Sequence, residues 1–498
     1  MKTFFINSFL LLIINIYAQA PSIEWQKSLG GGGQDYAKFI RQTSDGGYIV
    51  VGETVSSNGM ITNNYGSYDC WVVKLNSTGA LQWQKSLGGS DYDSAYSVSE
   101  TSEGGFVIIG NTESNNFDVT GHYGNFDAWV VKLSSAGNIE WQKTYGGSST
   151  DYGLSIQQTT DGGYILSGST FSTNGVFSTG QGGWIIKINN LGVIQWQKKI
   201  GSFQSYIYSV LQTNDGGFIA AGTSNGPLGN TDYHIVKLNS NGVIQWEKYY
   251  GGTSSESAKQ IQQTTDGGYI VIGSTNSSNT DVTQNNGSTD FWVIKLDSLG
   301  ILQWQKTLGG SSHDYGDSIH QTTDGGFVVC GYTSSTNGMI TGNHGYLDYW
   351  VVKLNNLGNV LWQKALGGSG DDQGISIRQT SDDGFIVAGS TGSSNGDVTN
   401  LYGDRDFWIV KLSPDNLSLN EFANSNDLKI YPNPVKNILQ IQSELKIIKL
   451  EVFDITGRSL IENKLIENKI DLTNLLKGNY ILKVYTQKGI INSTIVKE

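Results

Sequence analysis

A tripeptide, Trp-Gln-Lys or Trp-Glu-Lys, recurs along the chain at a nearly fixed interval. Its seven copies begin at Trp25, Trp83, Trp141, Trp196, Trp246, Trp304 and Trp362, so successive copies lie 58, 58, 55, 50, 58 and 58 residues apart. The other six tryptophans occupy a second recurring position: Trp71, Trp129, Trp184, Trp292, Trp350 and Trp408, with His234 in the fourth copy. A period of this size predicts a solenoid, a propeller or another repeat array. Since all 13 tryptophans belong to this lattice, we expect them to serve the fold.

Each repeat contains four segments with the composition of β-strands. In the second repeat they are 94–101, 103–110, 129–133 and the stretch around Trp141. Short segments rich in Val, Ile, Tyr and Trp, bounded by Gly and Asn, indicate antiparallel sheet. The turn between the third and fourth segments ends in Gly at 79, 137, 192, 242, 300 and 358, which suits a hairpin loop with one left-handed residue.

The two ends of the repeat region decide between an open array and a closed ring. An unaccompanied fourth strand, 23–29, precedes the first repeat, and the last repeat stops after its third strand, 408–412. We therefore predict that residues 21–413 form an all-β, seven-bladed β-propeller of four-stranded blades. The N-terminal strand would complete the last blade in a three-plus-one closure, which removes the exposed sheet edges.

Two features of the chain outside the repeats concern export and charge. Residues 1–20 combine Lys2, an apolar run and small residues, the pattern of a secretory signal peptide, with cleavage after either Ala18 or Ala20. No other apolar run reaches the roughly 18 residues that a transmembrane helix needs. The net charge is −12. We predict a secreted monomer that binds no nucleic acid.

Few positive charges remain once the repeats are accounted for. Of the 20 lysines and arginines between residues 21 and 427, 14 are the two lysines of each repeat, which we expect, with the tryptophans, to serve inter-blade packing and strand-edge solubility. The other six are Lys38, Arg41, Lys199, Lys259, Arg378 and Arg405.

The composition changes after the repeats. Residues 414–427 are polar and unpatterned, as in a linker, and residues 428–498 are lysine-rich, lack tryptophan and alternate like strands. We predict a separate, small, immunoglobulin-like β-sandwich there, close to the minimum size for an independent core.

This last segment resembles the type A C-terminal sorting domain of the type IX secretion system. Three motifs carry the resemblance: IYPNPVKN at 430–437, EVFDITGR at 451–458 and DLTNLLKGNYILKV at 471–484. Their signature residues are Tyr431, Pro432, Asn433, Pro434, Gly457, Gly478 and Tyr480. The resemblance implies that the secretion machinery and its sorting protease are partners, and that the tail is removed after export. The protein would then be released or anchored to the outer-membrane surface. The alternative is an ordinary adhesive module.

A carboxylate stands ten residues after the tripeptide tryptophan in six repeats. These residues are Asp35, Asp93, Asp151, Glu256, Asp314 and Asp372. If the first strand is innermost, they ring the channel mouth and could bind Ca²⁺ through oxygen ligands. The alternative is that each acid caps its own turn by accepting backbone N–H groups. We expect a second set of acids, two residues before the third-strand tryptophan, to cap the start of that strand.

The long loops between the second and third strands are the candidate ligand site. They combine Asn, Thr and Gly with aromatic side chains: Tyr65, His122, Tyr123, His344, Tyr346 and Tyr402. Rings beside amides suit stacking on sugars, and variable loops on a repeated scaffold commonly carry binding. The alternative is a solvated rim without a ligand.

Catalysis requires residues that occur once, and most polar residues here recur in every repeat. The five histidines are scattered and show no metal-ligand spacing. We predict a non-enzymatic binding or adhesion protein whose partner is a polysaccharide or a host or neighbour surface protein. A structural matrix component and a secreted glycan hydrolase are the alternatives.

Overall fold

We analysed a computed structural model of the chain, which describes residues 19–227, 230–415, 428–443, 447–454, 459–463, 469–486 and 489–498. The chain divides into two compact units between Pro414 and Asp415. Residues 1–18 of the predicted signal peptide and residues 416–427 of the predicted linker lie outside the described residues.

The first unit is an array of seven four-stranded antiparallel sheets, here called blades one to seven. Strand β1 (Ile23–Leu29) precedes blade one, which comprises β2 (Asp35–Gln42), β3 (Tyr48–Thr54), β4 (Asp69–Leu75) and β5 (Leu81–Leu87). Blades two and three comprise β6 (Asp93–Glu100), β7 (Phe106–Thr112), β8 (Asp127–Leu133), β9 (Ile139–Tyr145), β10 (Asp151–Gln158), β11 (Tyr164–Thr170), β12 (Gly182–Ile188) and β13 (Ile194–Ile200), with a 3₁₀ turn at Gly175–Phe177. Blades four and five comprise β14 (Tyr206–Gln212), β15 (Phe218–Ser224), β16 (Asp232–Leu238), β17 (Ile244–Tyr250), β18 (Glu256–Gln263), β19 (Tyr269–Thr275), β20 (Asp290–Leu296) and β21 (Leu302–Leu308). Blades six and seven comprise β22 (Asp314–Gln321), β23 (Phe327–Thr333), β24 (Asp348–Leu354), β25 (Val360–Leu366), β26 (Asp372–Gln379), β27 (Phe385–Thr391) and β28 (Asp406–Leu412).

Blade seven is completed by the first strand of the chain. Strand β1 pairs antiparallel with β28, so that Ile23 lies opposite Leu412 and Leu29 opposite Phe407. The predicted three-plus-one closure of a seven-bladed β-propeller is therefore confirmed.

The first strand of every blade is innermost, and successive first strands contact each other around the ring. Together they enclose a central channel with a cavity of about 590 Å³, to which all seven blades contribute. A bulge at the third or fourth residue of each first strand turns one additional side chain toward this channel.

A closed ring of hydrogen bonds joins the blades at the face opposite the long loops. The last residue of each first strand is Gln or Glu, and its side-chain oxygen accepts a backbone N–H from the turn of the preceding blade. Ser44 N–H donates to Glu100 Oε2 (2.9 Å), and Ser381 N–H of blade seven donates to Gln42 Oε1 of blade one (2.8 Å). The five other junctions repeat this bond at 2.8 to 2.9 Å.

The tryptophan lattice packs one blade against the next. Gly79, with φ of +75°, has no side chain because a Cβ would lie 2.8 Å from the Trp25 ring of the preceding blade. Third-strand tryptophans are buried, and Trp71 Nε1 donates to Gln84 Oε1 (2.9 Å). In blade four the pair becomes His234 and Glu247, 3.2 Å apart.

The third-strand lysines differ from the expectation that lattice lysines keep strand edges soluble. They are buried: Lys74 Nζ lies 2.9 Å from Asp45 Oδ2 in the turn between the first two strands, and the pair recurs in blades three to seven. Burial alone would raise the pKa of Asp45, but hydrogen bonds from Thr43 and Lys74 and the lysine charge lower it to about 2. These lysines therefore tie two strands of one blade together.

The second unit contains two sheets around one apolar core. Three strands, β29 (Leu428–Tyr431), β30 (Ile438–Ser443) and β33 (Lys469–Asp471), form one sheet. The other contains β31 (Ile447–Phe453), β32 (Ser459–Asn463), β34 (Gly478–Thr486) and β35 (Gly489–Lys497). Leu439 and Ile441 of the first sheet share a core with Leu450, Leu482 and others of the second, as a β-sandwich requires.

Candidate functional site

The six first-strand carboxylates each hold the loops of their own blade. Asp35 is buried, and its Oδ2 accepts Gly31 N–H (2.8 Å) and Ser56 Oγ (3.0 Å), while Oδ1 accepts Thr54 Oγ1. Burial raises the pKa of Asp35, although these hydrogen bonds act in the opposite direction. Blade four lacks the acid, and there the Ser205 and Ser224 hydroxyls bond each other at 2.6 Å.

A second carboxylate approaches each of these acids from the neighbouring blade. Asp406 Oδ1 and Asp35 Oδ2 both approach Gly30, where a Cβ would collide with the two of them. Burial, with a smaller contribution from the Asp35 charge, raises the pKa of Asp406 to about 6. The two sets of acids that the sequence presented as separate features thus meet at the blade junctions.

The structure does not gather the six first-strand carboxylates into one cluster. Asp35, Asp93, Asp151, Glu256, Asp314 and Asp372 lie one per blade. Among the described residues, no three His, Cys, Asp or Glu side chains are placed to share a metal ion. The bonding of each acid matches the turn-capping alternative, and Ca²⁺ binding stays a prediction.

The long second-to-third loops lie on the same face as the loops that lead into the first strands. In blade one, Gly32 N–H donates to Asn58 Oδ1 (2.6 Å), which joins the two loops. Four of the six candidate ligand residues occupy one equivalent position, where the backbone N–H donates to the third-strand aspartate at 2.6 to 2.9 Å: Tyr65, Tyr123, His344 and Tyr402. The fold therefore presents these side chains in register.

These candidates lie on four consecutive blades, six, seven, one and two. Tyr346 is 78 % exposed, and Tyr65, Tyr123 and Tyr402 are exposed as well. The two histidines are partly engaged, because His344 Nδ1 lies 2.8 Å from Asp348 Oδ2 and the His122 ring contacts the Asn125 carbonyl. Blade five has Asn286 at the equivalent position. The aromatic candidates thus form a crescent on one side of the rim.

Phe117 belongs to this crescent and was missed at the sequence level. It is 66 % exposed and stacks on Tyr65, with ring centroids 5.1 Å apart and an interplanar angle of 29°. Its φ is +53°, at a loop position that is glycine in blades one, three, six and seven, as at Gly59. Aligning the repeats would have shown a phenylalanine where four copies have glycine.

The channel wall was also missed. Lys38, Arg41, Lys259 and Arg378, four of the six lysines and arginines outside the repeat pattern, line the central cavity. In the sequence these four residues stand out only as scarce lysines and arginines outside the repeat pattern. Their positions on first strands, facing the channel, were the signal that could have found them.

In the second unit, the sorting-motif residues pair with the end of the chain. Asn433 Nδ2 donates to the Thr494 carbonyl (2.8 Å), and Val496 N–H donates to Asn433 Oδ1 (2.8 Å). Both peptide bonds that precede Pro432 and Pro434 are cis. Tyr480 Oη donates to the Leu476 carbonyl (2.7 Å), and Gly457 lies outside the described residues. Asn433 thus joins the first sorting motif to the last strand of the chain.

Searches for helices that could cross a membrane, limited to the residues the structure describes, find none long and apolar enough. A comparison with curated proteins finds no match.

Several solved structures are similar in fold at low sequence identity. One is the extracellular domain of a hybrid two-component system from B. thetaiotaomicron, at 8 % identity and a TM-score of 0.39, which covers 93 % of this chain but 55 % of its own length. A protein of unknown function from Dyadobacter fermentans is 11 % identical with a TM-score of 0.40, over 79 % of this chain and 99 % of its own. The Pan2 WD40 domain of Neurospora crassa is 13 % identical with a TM-score of 0.36, over 65 % and 90 %.

The family comparison concerns the second unit. Residues 429–498 match the family described as the secretion system C-terminal sorting domain. This agrees with the three motifs and with the bonding of Asn433 to the last strand. The tail is therefore a sorting domain of type IX secretion, and the chain is exported cargo, secreted or attached to the outer-membrane surface.

Proposed function

We propose that this cargo protein is a non-catalytic binding protein whose rim crescent engages a surface or extracellular polysaccharide. The crescent comprises the exposed rings of Tyr65, Phe117, Tyr123, Tyr346 and Tyr402. The single observation that carries the proposal is the conformation of Phe117, which is exposed, left-handed and stacked on Tyr65.

A left-handed backbone is costly for phenylalanine. Residues with a Cβ lose about 1 to 2 kcal/mol in that region; four other blades avoid the cost with glycine, and blade five bears it with Thr280, whose φ is +60°. Phe117 gains little burial in return, because two thirds of its side chain faces solvent. Strain of this kind is concentrated at functional sites, which supports a role for the ring in binding.

The surroundings of the crescent suit a carbohydrate. Exposed aromatic faces contact the apolar faces of sugar rings, while amides and hydroxyls bond their substituents. The loops supply such groups around the rings: Asn64 Oδ1 accepts Gly66 N–H (3.0 Å) and Asn116 Nδ2 donates to Ser90 Oγ (3.0 Å), both in exposed positions. A crescent that spans four blades fits an extended polymer better than a single small molecule.

The test is binding of the full chain to a panel of soluble polysaccharides, measured with calcium and with chelator. We expect saturable binding to a few related glycans. Phe117→Gly and Tyr346→Ala should each weaken this binding at least about fivefold, because truncation of an anchoring aromatic residue typically costs about 1 kcal/mol or more of binding free energy. Leu357→Ala is the matched control, since Leu357 is equally exposed but lies in a hairpin turn at the opposite face.

Any other outcome would contradict this proposal or favour a different function. Binding that survives both aromatic substitutions would contradict a role for the crescent. A failure to bind any glycan would favour a protein partner or a structural role, and depolymerisation of a bound glycan would favour a hydrolase. Loss of binding with chelator alone would assign the first-strand acids to a metal.

A further inference from the structure

The central channel concentrates positive charge in an acidic protein. The chain has a net charge of −12, yet four of the six lysines and arginines outside the repeat pattern of residues 21–427 line one cavity of about 590 Å³. Lys38 forms an ion pair with Glu53 (3.2 Å). For Arg41, Lys259 and Arg378, no carboxylate among the described residues lies within 4.0 Å. The lining carries these four cations against one carboxylate, Asp317, and an excess of one sign of charge focuses potential on ions of the opposite sign.

Two arginines and a histidine cluster where blades six, seven and one meet. Arg378 Nη1 donates to Ser318 Oγ (3.0 Å), and its guanidinium lies 4.9 Å from the Phe39 ring centroid. Burial, and then the charge of Arg41, lowers the pKa of Arg378 to about 10. Burial and the charges of both arginines lower the pKa of His320 to about 3. The charge of Glu100 acts on Arg41, but no carboxylate among the described residues lies within 4.0 Å of either guanidinium, so an anion would supply compensation that the two like charges lack.

Aromatic rings lead into the channel from blades one to four. Rings in sequence contact each other at centroid distances of 5.1 to 6.3 Å: Tyr68, Tyr92, Phe126, Tyr152 and Tyr206. Tyr206 stacks on Tyr208 at 5.8 Å, and Tyr208 itself lines the cavity. The route into the channel therefore presents flat, amphipathic faces, which sugars contact well.

Unsatisfied polar groups face the same cavity. Lys259 Nζ lies 4.0 Å from the centroid of the Tyr208 ring, and Asp317 Oδ2 is buried without a hydrogen-bond partner among the described residues. Buried polar atoms normally have partners, so an orphan oxygen beside a cavity points to a missing donor. A ligand hydroxyl would supply that donor.

We propose that the central channel binds a small sugar that carries an oxyanion, a carboxylate or a phosphate, held by Arg41 and Arg378. Guanidinium groups bind both oxyanions through paired N–H donors. The sugar ring would lie against Tyr96 and Tyr208, which line the cavity, with a hydroxyl donating to Asp317. The cavity volume falls in the range of small-molecule sites. This site is separate from the rim crescent and does not depend on it.

The experiment is isothermal titration calorimetry of the full chain with three matched ligands. D-glucuronate and D-glucose 6-phosphate carry the two oxyanions, and D-glucose is the neutral control. We expect one or both anions to bind and glucose to bind at least tenfold more weakly. The double variant Arg41→Gln/Arg378→Gln should lose anion affinity at least tenfold.

Lys199→Gln is the control that matches the single-charge variant Lys259→Gln, because Lys199 is exposed on the outer strand of blade three and its loss should leave affinity unchanged. Circular dichroism establishes that the double variant is folded, and Lys259→Gln provides a milder second variant. Preference for glucuronate or for glucose 6-phosphate identifies the oxyanion. Absence of binding by both anions, or equal affinity in the double variant, would overturn the proposal.

Discussion

The third and first strands of the same blades follow opposite rules. Third strands repeat one pattern, an acid, a tryptophan and a lysine. Five of the seven blades keep all three residues, blade three has Gly182 in place of the acid, and blade four has His234 in place of the tryptophan. First strands share their core-facing residues, but the channel-facing side chain at the bulge differs between each blade and the next. In blade order these side chains are Lys38, Tyr96, Leu154, Tyr208, Lys259, Asp317 and Ile375. The fold requires the first pattern and leaves the second free, so the channel wall is where this repeat protein can be specific.

Removal of a lattice tryptophan should have the largest effect. Trp350 is fully buried, contacts Phe291 of the neighbouring blade at a 4.8 Å centroid distance and donates to Gln363 Oε1 (2.9 Å). We expect Trp350→Ala to lower the free energy of unfolding by about 3 to 5 kcal/mol, measured by urea denaturation. A loss below about 1 kcal/mol would show that the lattice is dispensable.

The buried third-strand aspartates, which meet the first-strand acids where two blades join, should make the protein most stable in mild acid. Burial raises the pKa of Asp69 to about 7 and of Asp290 to about 6, against 3.8 as the ordinary value. Between pH 4 and 7 the folded state therefore binds more protons than the unfolded state, so stability falls as pH rises through this window. Below pH 4 the lysine-paired acids such as Asp45, with a pKa of about 2, become protonated first in the unfolded chain and stability falls again.

Urea midpoints at pH 5 and pH 8 measure this effect. We expect the midpoint to be higher at pH 5, and Asp290→Asn to reduce the difference because the amide does not titrate in this range. A higher midpoint at pH 8 would contradict the account of these junctions.

Removal of a turn aspartate that pairs with a buried third-strand lysine should lower the free energy of unfolding less than removal of a tryptophan. Lys353 is buried, and its Nζ lies 2.7 Å from Asp324 Oδ2 and 2.9 Å from Thr322 Oγ1. Asp324→Ala leaves the ammonium with fewer partners and should cost about 1 to 2 kcal/mol in urea denaturation. Adding Lys353→Met removes the stranded charge and should restore part of that loss; an additional loss would argue against ion pairing as the cause.

Much of the fold, and little of the site, could be predicted from the sequence. The repeated hairpin around Trp83 and the unpaired strand 23–29 were enough to predict seven blades and their closure, because strand periodicity is a local property of the sequence. The meeting of Asp406 with Asp35, and of Arg41 with Arg378, joins residues more than 300 positions apart, which depends on ring geometry. The burial of Lys74 was missed because a lysine in a strand commonly signals an exposed edge.

Replacement of Phe117 should separate stability from binding. Phe117→Gly relieves the left-handed backbone and should raise the free energy of unfolding by about 1 kcal/mol, less what is lost from the stack on Tyr65. The same variant should bind glycan more weakly. A destabilised variant with unchanged glycan affinity would show that the ring serves the fold.

The urea midpoint of Arg41→Gln/Lys259→Gln/Arg378→Gln shows whether the channel wall contributes to the stability of the fold. Arg41 and Arg378 repel each other, and the three side chains have no carboxylate within 4.0 Å among the described residues. The expected result is a free energy of unfolding within about 1 kcal/mol of the wild type, or above it, together with loss of oxyanion binding. A loss as large as that of Trp350→Ala would contradict it, since the channel wall would then belong to the fold.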